Sequence, residues 1–105
     1  QMARQAGQTD GTFSESKSTG FGGIPIDVGM TNKKSQGYIY FYNLGDSTKY
    51  SLQTIFNINT NTSTKGIFAY GSGVLPQASV VNQIKLYVTS GTFDATLSLY
   101  GIRSF

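Results

Sequence analysis

Large apolar residues return at every second position in short bursts, and no window carries them at i, i+3, i+4 and i+7 over three helical turns. Successive side chains along a strand point to opposite faces, so this pattern admits strands and shuts out amphipathic helices. Composition agrees: Ser, Thr, Gly, Asn and Gln make up nearly half of the 105 residues, and strong helix formers are scarce. The runs are short and the turn signals frequent, which predicts an all-β chain folded as an antiparallel β-sandwich.

Residues 1–22 hold only Met2, Phe13 and Phe21 as large apolar groups. They are expected to form an extended N-terminal arm or leading loop, which need not be ordered by itself, ahead of a β-sandwich domain over residues 23–105. Residues 24–28 read as a short strand, restricted by Pro25 to a sheet edge or a strand start because proline lacks the ladder N–H. Residues 29–37 read as loop. In residues 38–43, Ile39 and Phe41 fall on one face and Tyr38, Tyr40 and Tyr42 on the other. Leu44, Gly45, Asp46 and Ser47 turn the chain, and residues 50–58 follow as a strand with Leu52, Thr54, Phe56 and Ile58 in phase. Residues 59–65 read as a loop tip, 66–70 as a strand, and 71–79, with two glycines and Pro76, as another loop.

The alternation is sharpest near the end. Ile84, Leu86 and Val88 alternate with Lys85 and Tyr87, and Ala95, Leu97 and Leu99 alternate with Thr96, Ser98 and Tyr100. A two-residue turn at Ser90-Gly91 pairs Val88 with Phe93, Leu86 with Ala95 and Ile84 with Leu97, so inward residues meet inward residues. A longer loop over residues 89–94 keeps the same faces and frees Phe93 to cover an end of the core. Few residues are available to fill that core, and neither a disulfide nor an obvious metal reinforces it. Help is expected from oligomerisation or from a neighbouring segment that supplies further strands.

Several functions are excluded or disfavoured by what the chain lacks. Eight Lys and Arg against five Asp and Glu give a formal charge of +3, too thin and too scattered for a nucleic-acid binder. No apolar run approaches the ~20 residues needed to cross a bilayer as a helix, so membrane insertion is not expected. The chain holds no Cys and no His, which removes thiol and histidine catalysis, disulfides and Cys/His metal sites. The acids Asp10, Glu15, Asp27, Asp46 and Asp94 stand singly, without the close spacing that holds Mg²⁺ or Ca²⁺. No cofactor is implied. The first residue, Gln1, points to a processed piece or a segment of something longer.

The stretch VVNQIKLYVTSGTFDATLSLYGIRSF resembles the ending of many bacteriophage tail-fibre, tailspike and other virion proteins. Val81, Ile84, Leu86, Ser90-Gly91, Leu97, Leu99, Tyr100, Gly101 and Ile102 stand in the matching places of that ending. Upstream, GYIYFYN over residues 37–43 is similar to a strand that precedes the ending in such proteins. The resemblance spans about residues 37–102. It implies a jelly-roll-like β-sandwich in a virion, often trimeric and often at the outer end of a fibre, and it carries over no catalytic residue. Asp94-Ala95 replaces the second Gly that relatives tend to have before the last strand, and Leu44 replaces the proline after the Tyr-Asn pair. The resemblance therefore does not carry over the loop conformations at that end.

On this reading the chain is a virion structural protein, a tail-fibre or spike-type adhesion module that binds host-surface glycan without catalysis. The alternative is a capsid decoration or head-fibre scaffold with no receptor contact. Expected partners are further copies of the chain, a trimer foremost, other virion proteins and host polysaccharide. The candidate carbohydrate-binding residues are Tyr38, Tyr40, Tyr42 and Tyr87, whose rings offer stacking platforms for sugars. An equally physical role for them is packing against a neighbouring subunit, since Tyr is enriched at protein interfaces. The polar loops 59–65 and 71–79 are placed at one end of the sandwich, where binding loops gather. Asn61-Thr62-Ser63 fits the N-glycosylation pattern, Lys33-Lys34 reads as a solvated pair, and Gly20, Gly22 and Gly23 do not form a phosphate-cradling loop. Glycan hydrolysis would need two carboxyl groups roughly 5–9.5 Å apart, and only Asp46 and Asp94 are placed to supply them.

Overall fold

The computed structural model describes residues 1–19, 35–60, 66–87 and 91–102. Within them lie five strands and no helix: β1 (Met2–Gln8), β2 (Phe13–Ser18), β3 (Gln36–Tyr42), β4 (Tyr50–Thr60) and β5 (Gly66–Ala78). They form one sheet in the order β2-β1-β5-β4-β3, with every neighbouring pair antiparallel. The chain is thus all-β and antiparallel, as the period-two pattern requires. The residues 24–28 read as a strand lie outside the described residues, as do 61–65.

Two hairpin turns are built by Asx chemistry and left-handed residues. Between β1 and β2, Gln8 N–H donates to Thr12 C=O (2.9 Å), Gly11 N–H to Gln8 C=O (3.0 Å), and Asp10 Oδ1 accepts from Thr12 N–H (2.9 Å). Gly11 sits at φ 87°, where a side chain would be strained. Between β3 and β4, Asn43 takes φ 62°, which asparagine tolerates better than most residues, and its Nδ2 donates to Tyr50 C=O at 3.2 Å.

The expected N-terminal arm is instead part of the sheet. β1 lies between β2 and β5, Met2 is buried, and the N–H of Val74 donates to Gln1 C=O at 2.9 Å. Polarity misleads here because β1 is held mainly by backbone ladders on both sides, which ask nothing of its side chains. The expected loop 71–79 is likewise strand up to Ala78. Pro76 is tolerated because the pairing shifts between Tyr50 and Ser51, from Ala78 to Leu75, and a bulge removes the need for its missing N–H.

The expected C-terminal hairpin does not form either. Residues 81–87 and 91–102 contain no strand, Ser90 lies outside the described residues, and Ile84, Leu86, Leu97 and Leu99 are all exposed rather than inward-facing. Alternation marks a segment as ready to pair, but an isolated ribbon has too little to gain without a third strand or a packed face. Among the described residues the buried apolar ones are Met2, Ile55 and Ala69, and the register puts all three on one face of the sheet.

Candidate functional site

The opposite face is set by the same register. Its central row runs Tyr40, Thr54, Ser72, Ala3 and Lys17 across all five strands. One flanking row is Tyr38, Phe56, Tyr70, Gln5 and Glu15, and the other begins Tyr42, Leu52 and Val74. Thr54, Ser72 and Ala3 are small and their neighbours are large, so the middle of the sheet is a trough walled by longer side chains. Five strands at the usual ~4.8 Å spacing make it about 19 Å long. Two adjoining hollows of about 840 and 690 Å³ share Ala3, Lys17 and Ser72 along it.

Tyr38, Tyr40 and Tyr42 form one wall end together. Each is about half exposed, the rings of Tyr38 and Tyr40 are 5.2 Å apart at their centroids, and Tyr38 stacks on Phe56 at 5.7 Å. Stacking on one side stiffens a ring and leaves its other face free for a ligand. Tyr87 is not with them: it lies outside the sheet, its ring under the Lys85 ammonium at 5.7 Å.

The far end of the trough is polar. Tyr70 Oη donates to Gln5 Oε1, and Gln5 Nε2 donates to Glu15 Oε1, so three residues on three strands share one hydrogen-bonded chain. Beside it stands Lys17. None of Gln5, Glu15, Lys17, Thr54, Tyr70 and Ser72 was assigned to a site from sequence. For Gln5, Glu15 and Lys17 the signal is the alternation inside ARQ and SESK, which becomes visible only once residues 1–19 are read as strands.

No family model, curated protein or solved structure matches this chain.

The two carboxylates considered for hydrolysis sit elsewhere. In the β3–β4 turn, Asp46 Oδ1 accepts from Thr48 Oγ1 (2.6 Å) and Thr48 N–H (2.9 Å), and Oδ2 pairs with Lys49 Nζ at 3.1 Å. The Thr48 hydroxyl and amide, then Lys49, hold its pKa down to about 2 from 3.8. A carboxylate so engaged is an anchor for the turn and a poor proton donor. Asp94 lies on the exposed C-terminal segment.

Proposed function

We propose that the chain is a non-catalytic adhesion module of a bacteriophage fibre or spike, and that the trough takes host-surface glycan. The observation that carries this reading is the mixed lining: tyrosine rings at one end and the Tyr70, Gln5, Glu15 and Lys17 groups at the other share one face. Sugars present apolar C–H faces and a rim of hydroxyls, so they need rings and hydrogen-bonding groups together. The virion setting rests on the resemblance of residues 37–102 to fibre and tailspike endings. The jelly-roll-like sandwich belongs to the same proposal, its second layer packing on the side of Ile55 and Ala69 and leaving the tyrosines open. Several copies acting at once multiply a weak single-site affinity.

The scaffold alternative is favoured by one specific feature. Leu52, Ile58, Phe68 and Phe13 are exposed on the tyrosine face, and apolar groups gathered this way also suit a protein contact. A host-glycan array probed with the full chain separates the two. Binding to surface polysaccharide that falls about tenfold or more in Tyr40→Ala, in line with the loss of one stacking contact of ~1.5 kcal/mol, supports adhesion. Lys49→Ala, in the turn outside the trough, is expected to leave binding unchanged. Silence on host polysaccharide overturns adhesion in favour of scaffold, and shortening of the polymer overturns the non-catalytic reading.

A further inference from the structure

Two unsatisfied features of the fold are complementary. The first is the outer edge of β3, which ends the sheet. Its sequence, QGYIYFY, has neither charge nor proline, whereas the other edge strand, FSESKS, carries Glu15 and Lys17. Charges on an edge discourage further pairing, and β3 has none of them. The second feature is the C-terminal segment, which alternates like a strand yet leaves Ile84 52%, Leu86 40%, Leu97 72% and Leu99 88% exposed.

A backbone hydrogen bond joins the two. Val81 N–H donates to the C=O of Leu44, two residues beyond the end of β3, at 2.7 Å. Continued antiparallel from that contact, the register sets Ile84 opposite Phe41 and Leu86 opposite Ile39, both half-buried on the face of Ile55. The same register sets Lys85 opposite Tyr40 and Tyr87 opposite Tyr38. Apolar meets apolar on the core side, and the aromatic groups meet on the trough side. A shift by one residue would reverse both matches.

We propose that this segment of one copy adds as a strand to the β3 edge of a second copy, so that the partner's Tyr87 and the partner's Lys85 extend the tyrosine wall. Within a single chain the tether at Val81 is made, yet residues 82–87 form no strand and no described residue pairs with the outer edge of β3, which leaves that edge to another copy. Main-chain pairing supplies the affinity and the alternate side chains supply the register. The assembly stands on these backbone and apolar matches. Only the role of Tyr87 in ligand binding rests on the glycan reading.

The chain has no cysteine, so introduced thiols report without interference. Full-length Phe41→Cys and Ile84→Cys proteins are mixed and mildly oxidised. The expected product is a disulfide-linked pair of chains, formed at least about tenfold more than between Tyr40→Cys and Ile84→Cys, whose side chains leave opposite faces. Ile39→Cys with Leu86→Cys is the second pair, should either first variant fold poorly. Absence of inter-chain product in both pairs overturns the proposal. So does a Phe41→Cys/Ile84→Cys double variant that links only within its own chain. Cross-linking together with unchanged glycan binding in Tyr87→Ala upholds the assembly and removes the glycan role alone.

Discussion

At the level of single residues, β4 shows an inversion of the usual order. Ser51, Gln53, Asn57 and Asn59 are buried, while Leu52 and Ile58 on the same strand are exposed. Among the described residues neither amide atom of Gln53 nor the hydroxyl of Ser51 has a hydrogen-bond partner, and a group left so costs about 1–3 kcal/mol. A strand that conceals its polar face and presents its apolar one is built for contact on the presented side. Asp46 shows the contrary case of a fully engaged polar group on the surface. Its folded-state pKa lies below its ordinary value, so its contribution is complete above pH 3.8 and is lost as the pH falls through about 2. Carboxyl chemical shifts followed by NMR should give Asp46 a midpoint near 2, and Thr48→Val should move that midpoint up toward 3.8 by removing its strongest donor.

Among the elements, β3 and β4 were legible because alternation and aromatic content both marked them, and the polar turn between them was marked by Gly45 and Asp46. β1, β2 and the outer half of β5 were not legible. Their side chains are small or polar, and backbone pairing on both sides stabilises β1 and β5 regardless. The terminal runs show the opposite failure, because alternation records what a segment can pair with and says nothing of when the partner is present. The candidate site was half readable for the same reason: three tyrosines sit on a legible strand, and the polar end sits on strands that polarity disguised. Glycines inside β5 carry the element's own signature. A Cβ on Gly71 would lie 2.6 Å from the Ala3 carbonyl oxygen and 2.8 Å from Arg4 Cβ, so β1 and β5 approach closely there. Gly71→Ala is expected to destabilise by about 1–3 kcal/mol in urea unfolding, since backbone cannot yield. Gly7→Ala meets only the tip of the Phe68 ring, which can swing aside, and should cost less.

For the whole molecule, the radius of gyration is 15.0 Å, against about 13 Å for a compact domain of this length. Among the described residues there is one sheet, residues 81–87 and 91–102 form no strand, and little apolar surface is buried, which fits the excess. Such a chain is stabilised by whatever binds its folded form, and the proposed strand addition makes further copies of the chain one such partner. Its melting temperature should therefore rise with protein concentration, because mass action favours the state in which the exposed strands pair. Differential scanning calorimetry over a hundredfold concentration range is the measurement. In Leu86→Asp the added charge would face Ile39 across the proposed pairing, so the concentration dependence should vanish while melting at the lowest concentration stays close to that of the unaltered chain, where Leu86 is already exposed to water. A melting temperature independent of concentration in the unaltered chain would instead mean that the single sheet is sufficient by itself, with no contribution from pairing at the β3 edge.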